Sequence, residues 1–308
     1  MILITGASGL LGASLVALAR ERGLDVAGLY HRHAVNISGA ISYAVDLTDA
    51  SATRKIFDRL KPAIVIHCAA ETNVDWCQEH PDDAFRMNVT ASAGVAANSA
   101  STGARMIYVS TDSVFDGSRG NYAETDRPAP VNTYAQTKLQ GEQSVLEMNP
   151  AATIVRLTLY GWNAQNKLSL AEWILHELSQ DRVVPGFTDI FFCPILANHA
   201  AGTLLDLAGR DLPGLYHLVG SERVSKYEFA RRVARRFGFD LEKIAPAQAA
   251  DAKMKAPRPR DVSLNTAKIS AALGYAMPDV DAGLLEFARL RDSGYVERIR
   301  GQHAGAQK

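Results

Sequence analysis

From its first residue the chain alternates between two periodicities, and that alternation leaves few architectures open. Short runs rich in β-branched residues at 2–5, 25–30, 42–45, 63–68, 106–110 and 153–157 are separated by longer amphipathic runs at 10–22, 50–60, 81–101 and 134–148. A strand followed by a helix-length connection comes back parallel to its predecessor, so the pattern predicts an α/β fold with a doubly wound parallel sheet. Beyond residue 157 the rhythm changes. Turn-rich segments at 184–188 and 211–214 appear, with helices at 169–180, 196–208 and 225–237 and a Pro/Lys/Arg-rich loop at 253–261. The expected division is a sheet domain over residues 1–157 and a smaller lobe over 158–308, which closes on the carboxyl ends of the strands and returns the run 215–218 to the sheet.

Composition narrows the partners. Of 308 residues, 47% are hydrophobic and 21% charged, and the formal net charge is +0. No overall field recruits nucleic acid or an anionic membrane, so any anionic ligand must be held by local donors. The three cysteines, Cys68, Cys77 and Cys193, have no metal-ligand spacing and fit reduced thiols in a cytoplasmic protein. Met1 opens the first strand, which leaves no room for a signal peptide, and no apolar run approaches the ~18 residues of a spanning helix. The small, polar tail from residue 301 to 308 is expected to fray.

The first strand runs into Thr5-Gly6-Ala7-Ser8-Gly9-Leu10-Leu11-Gly12. Gly6 turns the chain sharply, Gly9 lets backbone approach a pyrophosphate, Gly12 lets the helix pack on the sheet, and the helix N-terminus presents free N–H groups. Three glycines alone also describe a tight turn without a ligand. A strand before and an amphipathic helix after them favour a Rossmann-type dinucleotide site.

A second constellation lies further on. Tyr134 and Lys138 stand four residues apart at the start of a helix, with Thr133 and Gln136 in capping-box spacing. A free phenol titrates near pH ~10, and an adjacent ammonium brings it toward the working range of a general acid. Chance alone gives many such pairs on exposed helices. Here the pair follows a strand that ends in Ser110-Thr111-Asp112, whose hydroxyls can hold a carbonyl or close a local turn.

Taken in order, Thr5 to Gly12, Asp46-Leu47, Ala69-Ala70 with Glu71 to Asp75, Asn88, the run Ser110 to Gly117, Tyr134 to Lys138 and Arg258-Pro259 resemble the extended short-chain dehydrogenase/reductases. Within that superfamily the chain is most similar to the dTDP-4-dehydrorhamnose reductases. The resemblance implies a catalytic triad of Thr111, Tyr134 and Lys138. It implies a cofactor held by Gly6, Ser8, Gly9, Leu10, Leu11, Gly12, Asp46, Leu47, Ala69 and Ala70, with Asp46 on the adenine. Substrate contacts would come from Thr111, Asp112, Ser113 and Arg258, the last suited to a nucleotide diphosphate. Asn88 resembles a helix asparagine that braces the active site, although unaided it reads as a surface amide, and Asp46 unaided reads as an N-cap. Some members pair as homodimers, so a homodimer is implied.

The second strand ends in Tyr30-His31-Arg32-His33 without a carboxylate, which favours NADPH over NADH, with Arg32 on the 2′-phosphate. His31 and His33 have no third partner at metal-ligand spacing, and no metal is expected. The Arg231, Arg232, Arg235 and Arg236 face reads as solvated, and Trp162 and Phe191 as packing rather than base stacking. His67-Cys68 and Ser113 depart from the reductase pattern. The expected activity is reduction of a nucleotide-linked keto-sugar. The alternatives are an epimerase or dehydratase on the same scaffold, and a non-catalytic cofactor-binding subunit similar to the β subunit of methionine adenosyltransferase.

Overall fold

The computed structural model describes residues 1–34, 37, 39–252 and 254–301; the tail after residue 301 and Lys253 of the basic loop lie outside them. Seven parallel strands form one sheet: β1 (Ile2–Thr5), β2 (Val26–Tyr30), β3 (Ile41–Ala44), β4 (Ile64–His67), β5 (Arg105–Thr111), β6 (Thr153–Leu157) and β7 (Gly214–His217). Their spatial order is β7-β6-β5-β4-β1-β2-β3. The order reverses beside β1, where open α/β sheets bind ligands. Residues 1–157 therefore supply six of the seven strands, and β7 returns from the second half to pair with β6, Tyr216 opposite Val155.

Alternation along β1 shows why both faces must be covered. Ile2 and Ile4 pack with Leu15 and Val16 of α1 (Leu10–Glu21), and with Leu204 of a helix at Ala197–Ala208. Leu3 points the other way, toward Phe57 of α2 (Ala50–Leu60) and Val95 and Val145 of two later helices. A period of two thus divides one strand between two cores.

The amphipathic run at 81–101 forms α3 (Pro81–Phe85), a single wide π-turn (Arg86–Thr90) and α4 (Ala91–Thr102). That turn carries Asn88 to a fully buried position. Next comes α5 (Thr133–Met148). In the second half α6 (Leu170–Ser179), the helix at Ala197–Ala208 and α7 (Lys226–Arg236) match the expected helices to within one residue at each end. The lobe has its own core, in which Tyr160, Phe229 and Phe287 meet edge to face. Trp162 stacks on Phe287 at 4.2 Å and donates to its carbonyl, so its ring is packing. Among the described residues no helix is long and apolar enough to cross a membrane.

Candidate active site

The glycine turn keeps the shape that its sequence suggests. Gly6 has φ +63°, and a Cβ on Gly12 would stand 2.2 Å from the Gly6 carbonyl oxygen, so both positions exclude a side chain. Gly9 is the N-cap of α1 and no side chain caps the helix there, which leaves its first N–H groups available. Those donors and that space fit a pyrophosphate. Leu11 and Leu47 are buried in the core and can offer only backbone, while the Ala69 N–H donates to Thr5 Oγ1 at 3.2 Å.

A cavity of about 540 Å³ opens beside this turn, between Ala7 and Ser8, Arg32 and His33, and residues Ala164 to Lys167. Arg32 therefore faces the same space as Ser8. Asp46 does not cap α2: its carboxylate accepts from Thr48 N and Oγ1 at 2.9 and 2.7 Å, and Asp49 takes the cap by accepting from Ser51 and Ala52. The reason is reach, since a cap must lie within two or three residues of the N–H groups it satisfies. Asp46 carries His31 Nε2 at 3.7 Å.

Thr111 ends β5, and its hydroxyl opposes the rise that burial imposes on the Tyr134 phenol. It also accepts from Ser113 N at 3.2 Å and contacts Asp112 Oδ1 at 3.2 Å. Of the two readings of this hydroxyl, the local turn is present at Thr111. Ser113 donates to Asp112 at 3.1 Å. Burial pushes the Asp112 carboxyl up to about 6, with Lys226 opposing.

The structure corrects two expectations about the Tyr134–Lys138 pair. First, the N-cap of α5 is Asn132, which accepts from Ala135 N at 2.9 Å, while Thr133 lies inside the helix and donates to Gln78. Second, the Lys138 ammonium does not lower the phenol. It is buried and donates to Tyr108 Oη and the Val109 carbonyl, both at 2.8 Å, while burial pushes the Tyr134 phenol up. Desolvation also takes Lys138 down to about 7.

Asn88 is no surface amide. Its side chain accepts from Glu71 N at 2.9 Å and donates to Glu71 O and Thr137 Oγ1, both at 3.1 Å, tying the loop after β4 to α5.

On the lobe side a second cavity, of about 350 Å³, joins Asp112, Ser113 and Thr158 to an apolar wall that includes Trp173, Phe187 and Phe192. Arg258 lines it and is paired with Asp75 at 2.9 Å. Lys226 lines it as well, over the Phe192 ring at 4.1 Å, with burial lowering its ammonium to about 8. Sequence reasoning missed Lys226, because a lysine opening a helix carries no signal distinct from a surface residue. It also missed Gln165 and Lys167. The departure at His67 was visible in the sequence, but its contacts were not. Arg260 is exposed, and Arg232 is held by Glu222 and Glu228. Among the described residues no group of three His, Cys, Asp or Glu is placed to hold a metal ion.

Comparison with known proteins bears on this geometry. A family model for the RmlD substrate binding domain matches residues 1–291. The Haloferax volcanii protein "Probable low-salt glycan biosynthesis reductase Agl14" is 34% identical, with 91% of this chain and 95% of that protein covered. The β subunit of methionine adenosyltransferase 2 of Bos taurus is 31% identical over 87% of this chain and 81% of its own. The crystal structure of Bacillus anthracis dTDP-4-dehydrorhamnose reductase in complex with NADP superposes with a TM-score of 0.83 at 27% identity, covering 94% of this chain and 98% of that one.

Proposed function

We propose a function from one premise: this chain belongs to the RmlD substrate binding domain family, a family of sugar-nucleotide reductases. The reaction is reduction of the 4-keto group of a nucleotide-linked deoxysugar with NADPH, NADH being the alternative donor. The observation that carries it is the placement of Thr111 at the carboxyl end of β5, on the strand packed against the helix that carries Tyr134 in its first turn, with Asp112 and Ser113 opening onto the lobe cavity.

NADPH supplies the hydride when bound. The rest is done by side chains. The Tyr134 phenol, held protonated by burial, delivers a proton to the carbonyl oxygen as charge develops there. The Thr111 hydroxyl orients that oxygen and donates to it. Lys138 is carried one helical turn beyond Tyr134 and, in its charged form, holds a ribose hydroxyl with the N–H that Tyr108 and Val109 leave over. Gly6, Ser8, Gly9, Leu10, Leu11 and Gly12 take the pyrophosphate, Arg32 the 2′-phosphate, and Asp46, Leu47, Ala69 and Ala70 flank the adenosine. Asp112, Ser113 and Arg258 meet the substrate. Residues 1–157 thus serve the dinucleotide and 158–308 chiefly the sugar, in a cytoplasmic protein that pairs as a homodimer.

The test is loss of NADPH absorbance with enzymatically generated dTDP-4-keto-6-deoxysugars, before and after 3,5-epimerisation. Net consumption separates a reductase from an epimerase or dehydratase, which recycle their cofactor. The 31% identity to a methionine adenosyltransferase β subunit favours a second reading, a cofactor-binding regulatory subunit. Co-purification with a large catalytic partner, and no turnover of any keto-sugar, would select it.

A further inference from the structure

Between the lobe strand at Leu159–Tyr160 and α6 the chain makes a closed loop, residues 163–168, whose two feet rest on one buried carboxylate. Glu172 accepts from Asn163 N at 3.1 Å at one foot and from Ser169 N at 2.9 Å at the other. Arg300 locks the first foot, donating to the Asn163 carbonyl at 3.0 Å and to Glu172 at 2.9 Å. A loop fixed at both ends moves as a flap about those ends.

Its tip crosses the crevice. Gln165 Nε2 donates to the Ser8 carbonyl at 2.9 Å and to Ser8 Oγ at 3.1 Å, in the glycine turn after β1. Lys167 Nζ donates to Thr72 Oγ1 at 3.1 Å, in the loop after β4. Strands β1 and β4 are neighbours, so the loop spans the mouth between them. Below it lies the cavity whose walls carry Arg32, His33 and Lys167, with no carboxylate among its described lining residues.

We propose that residues 163–168 are a strap over the dinucleotide site, in which Gln165 and Lys167 exchange their contacts with Ser8 and Thr72 for the phosphates of a bound dinucleotide and govern its release. This rests on the dinucleotide reading given above. The exchange is favourable because both present contacts are neutral-acceptor hydrogen bonds, one of them exposed, whereas phosphate oxygens give charge-assisted bonds to the same donors. Rigid feet limit the order lost when the tip closes.

The test is titration of purified chain with NADPH, followed by cofactor fluorescence, with stopped-flow displacement for the off-rate. Lys167→Met should raise Kd about tenfold and reduce its salt dependence, and Lys167→Arg should restore it. Gln165→Ala should speed release several-fold. Affinity and off-rate of Lys167→Met and Gln165→Ala within twofold of the parent chain would overturn the strap while leaving the reductase reading intact. Weakened binding in the variants, with no keto-sugar reduced by the parent, would sink the reductase reading and keep the strap. A parent chain that binds neither NADPH nor NADH would remove both.

Discussion

The ammonium of Lys138 lies 2.8 Å from the phenol oxygen of Tyr108, three residues before the strand end at Thr111 where chemistry would occur. Tyr108 Oη also donates to the Asn88 carbonyl at 3.5 Å, while beside it Ser92 meets His67 Nε2 at 3.0 Å and His67 Nδ1 meets Thr5 Oγ1 at 2.6 Å. Of the two partners of Thr5 Oγ1, the Ala69 N–H can only donate and His67 Nδ1 can accept, so the hydroxyl proton is assigned to His67 and the ring to the Nε2–H tautomer. The His67 ring stacks on that of Tyr108 at 5.7 Å, so the polar contacts that start at the turn that would hold phosphate end against the residue that holds Lys138.

Removing the Tyr108 hydroxyl should therefore be felt at Lys138. In Tyr108→Phe the ammonium loses a buried acceptor, so its charged form is disfavoured further below its present value of about 7. The alkaline limb of kcat/KM, on which activity falls as Lys138 loses its proton, should move to lower pH. An unmoved limb would show that this contact does not govern the lysine.

Tyr134→Phe should reduce kcat by at least about a hundredfold while NADPH affinity stays within twofold, since only proton delivery is lost. Steady-state turnover with fluorescence titration separates the two. Retained turnover would exclude Tyr134 as the acid.

The glycines make a contrasting pair. A Cβ on Gly12 meets the Gly6 carbonyl at 2.2 Å and Ala7 Cα at 2.8 Å, all backbone, so Gly12→Ala should cost about 2 kcal/mol of stability. On Gly9 it meets only the Gly6 oxygen, at 3.3 Å, so Gly9→Ala should fold nearly as well and lose dinucleotide affinity instead. Denaturant midpoints alongside NADPH titration check both; equal midpoints for the two variants would contradict the packing argument.

Acid should destabilise the protein through two histidines. His67 and His217 are fully buried, and desolvation takes each from 6.5 down to about 3. Between those values the unfolded chain binds a proton at each site and the folded chain does not. Stability present above pH 6.5 is therefore lost on acidification, by about 2 kcal/mol per histidine at pH 5. Asp112, raised to about 6, acts oppositely below pH 6, returning about 1 kcal/mol by pH 5. Urea midpoints at pH 7.5 and 5 measure the net loss. In His217→Gln that loss should shrink by one histidine's share, and an unchanged pH slope would refute the assignment.

Much of this was legible in the residues. The six strands and the four expected helices of the first half were placed to within a residue or two, except that the run at 81–101 proved to contain a π-turn around Asn88, and a short helix at Val74–Glu79 was not expected. Nothing in a helical period distinguishes an amide that will face solvent from one that will be pulled inward by the backbone of Glu71, because that partner lies 17 residues back. Capping showed the same limit at closer range. Thr133 has the right spacing to cap α5, yet Asn132 does so, because Thr133 finds Gln78, 55 residues away.

Local order in the chain was enough to specify the alternating sheet, the glycine turn and the helix that carries Tyr134 and Lys138, since each depends on side-chain size, backbone freedom and spacing within a few residues. The direction of the Lys138 ammonium, the burial that holds Tyr134 protonated and the bridging of Ser8 by Gln165 came only with folding. Each of those depends on desolvation and on partners 29 to 157 residues distant, and neither quantity exists until the sheet and the lobe have packed together.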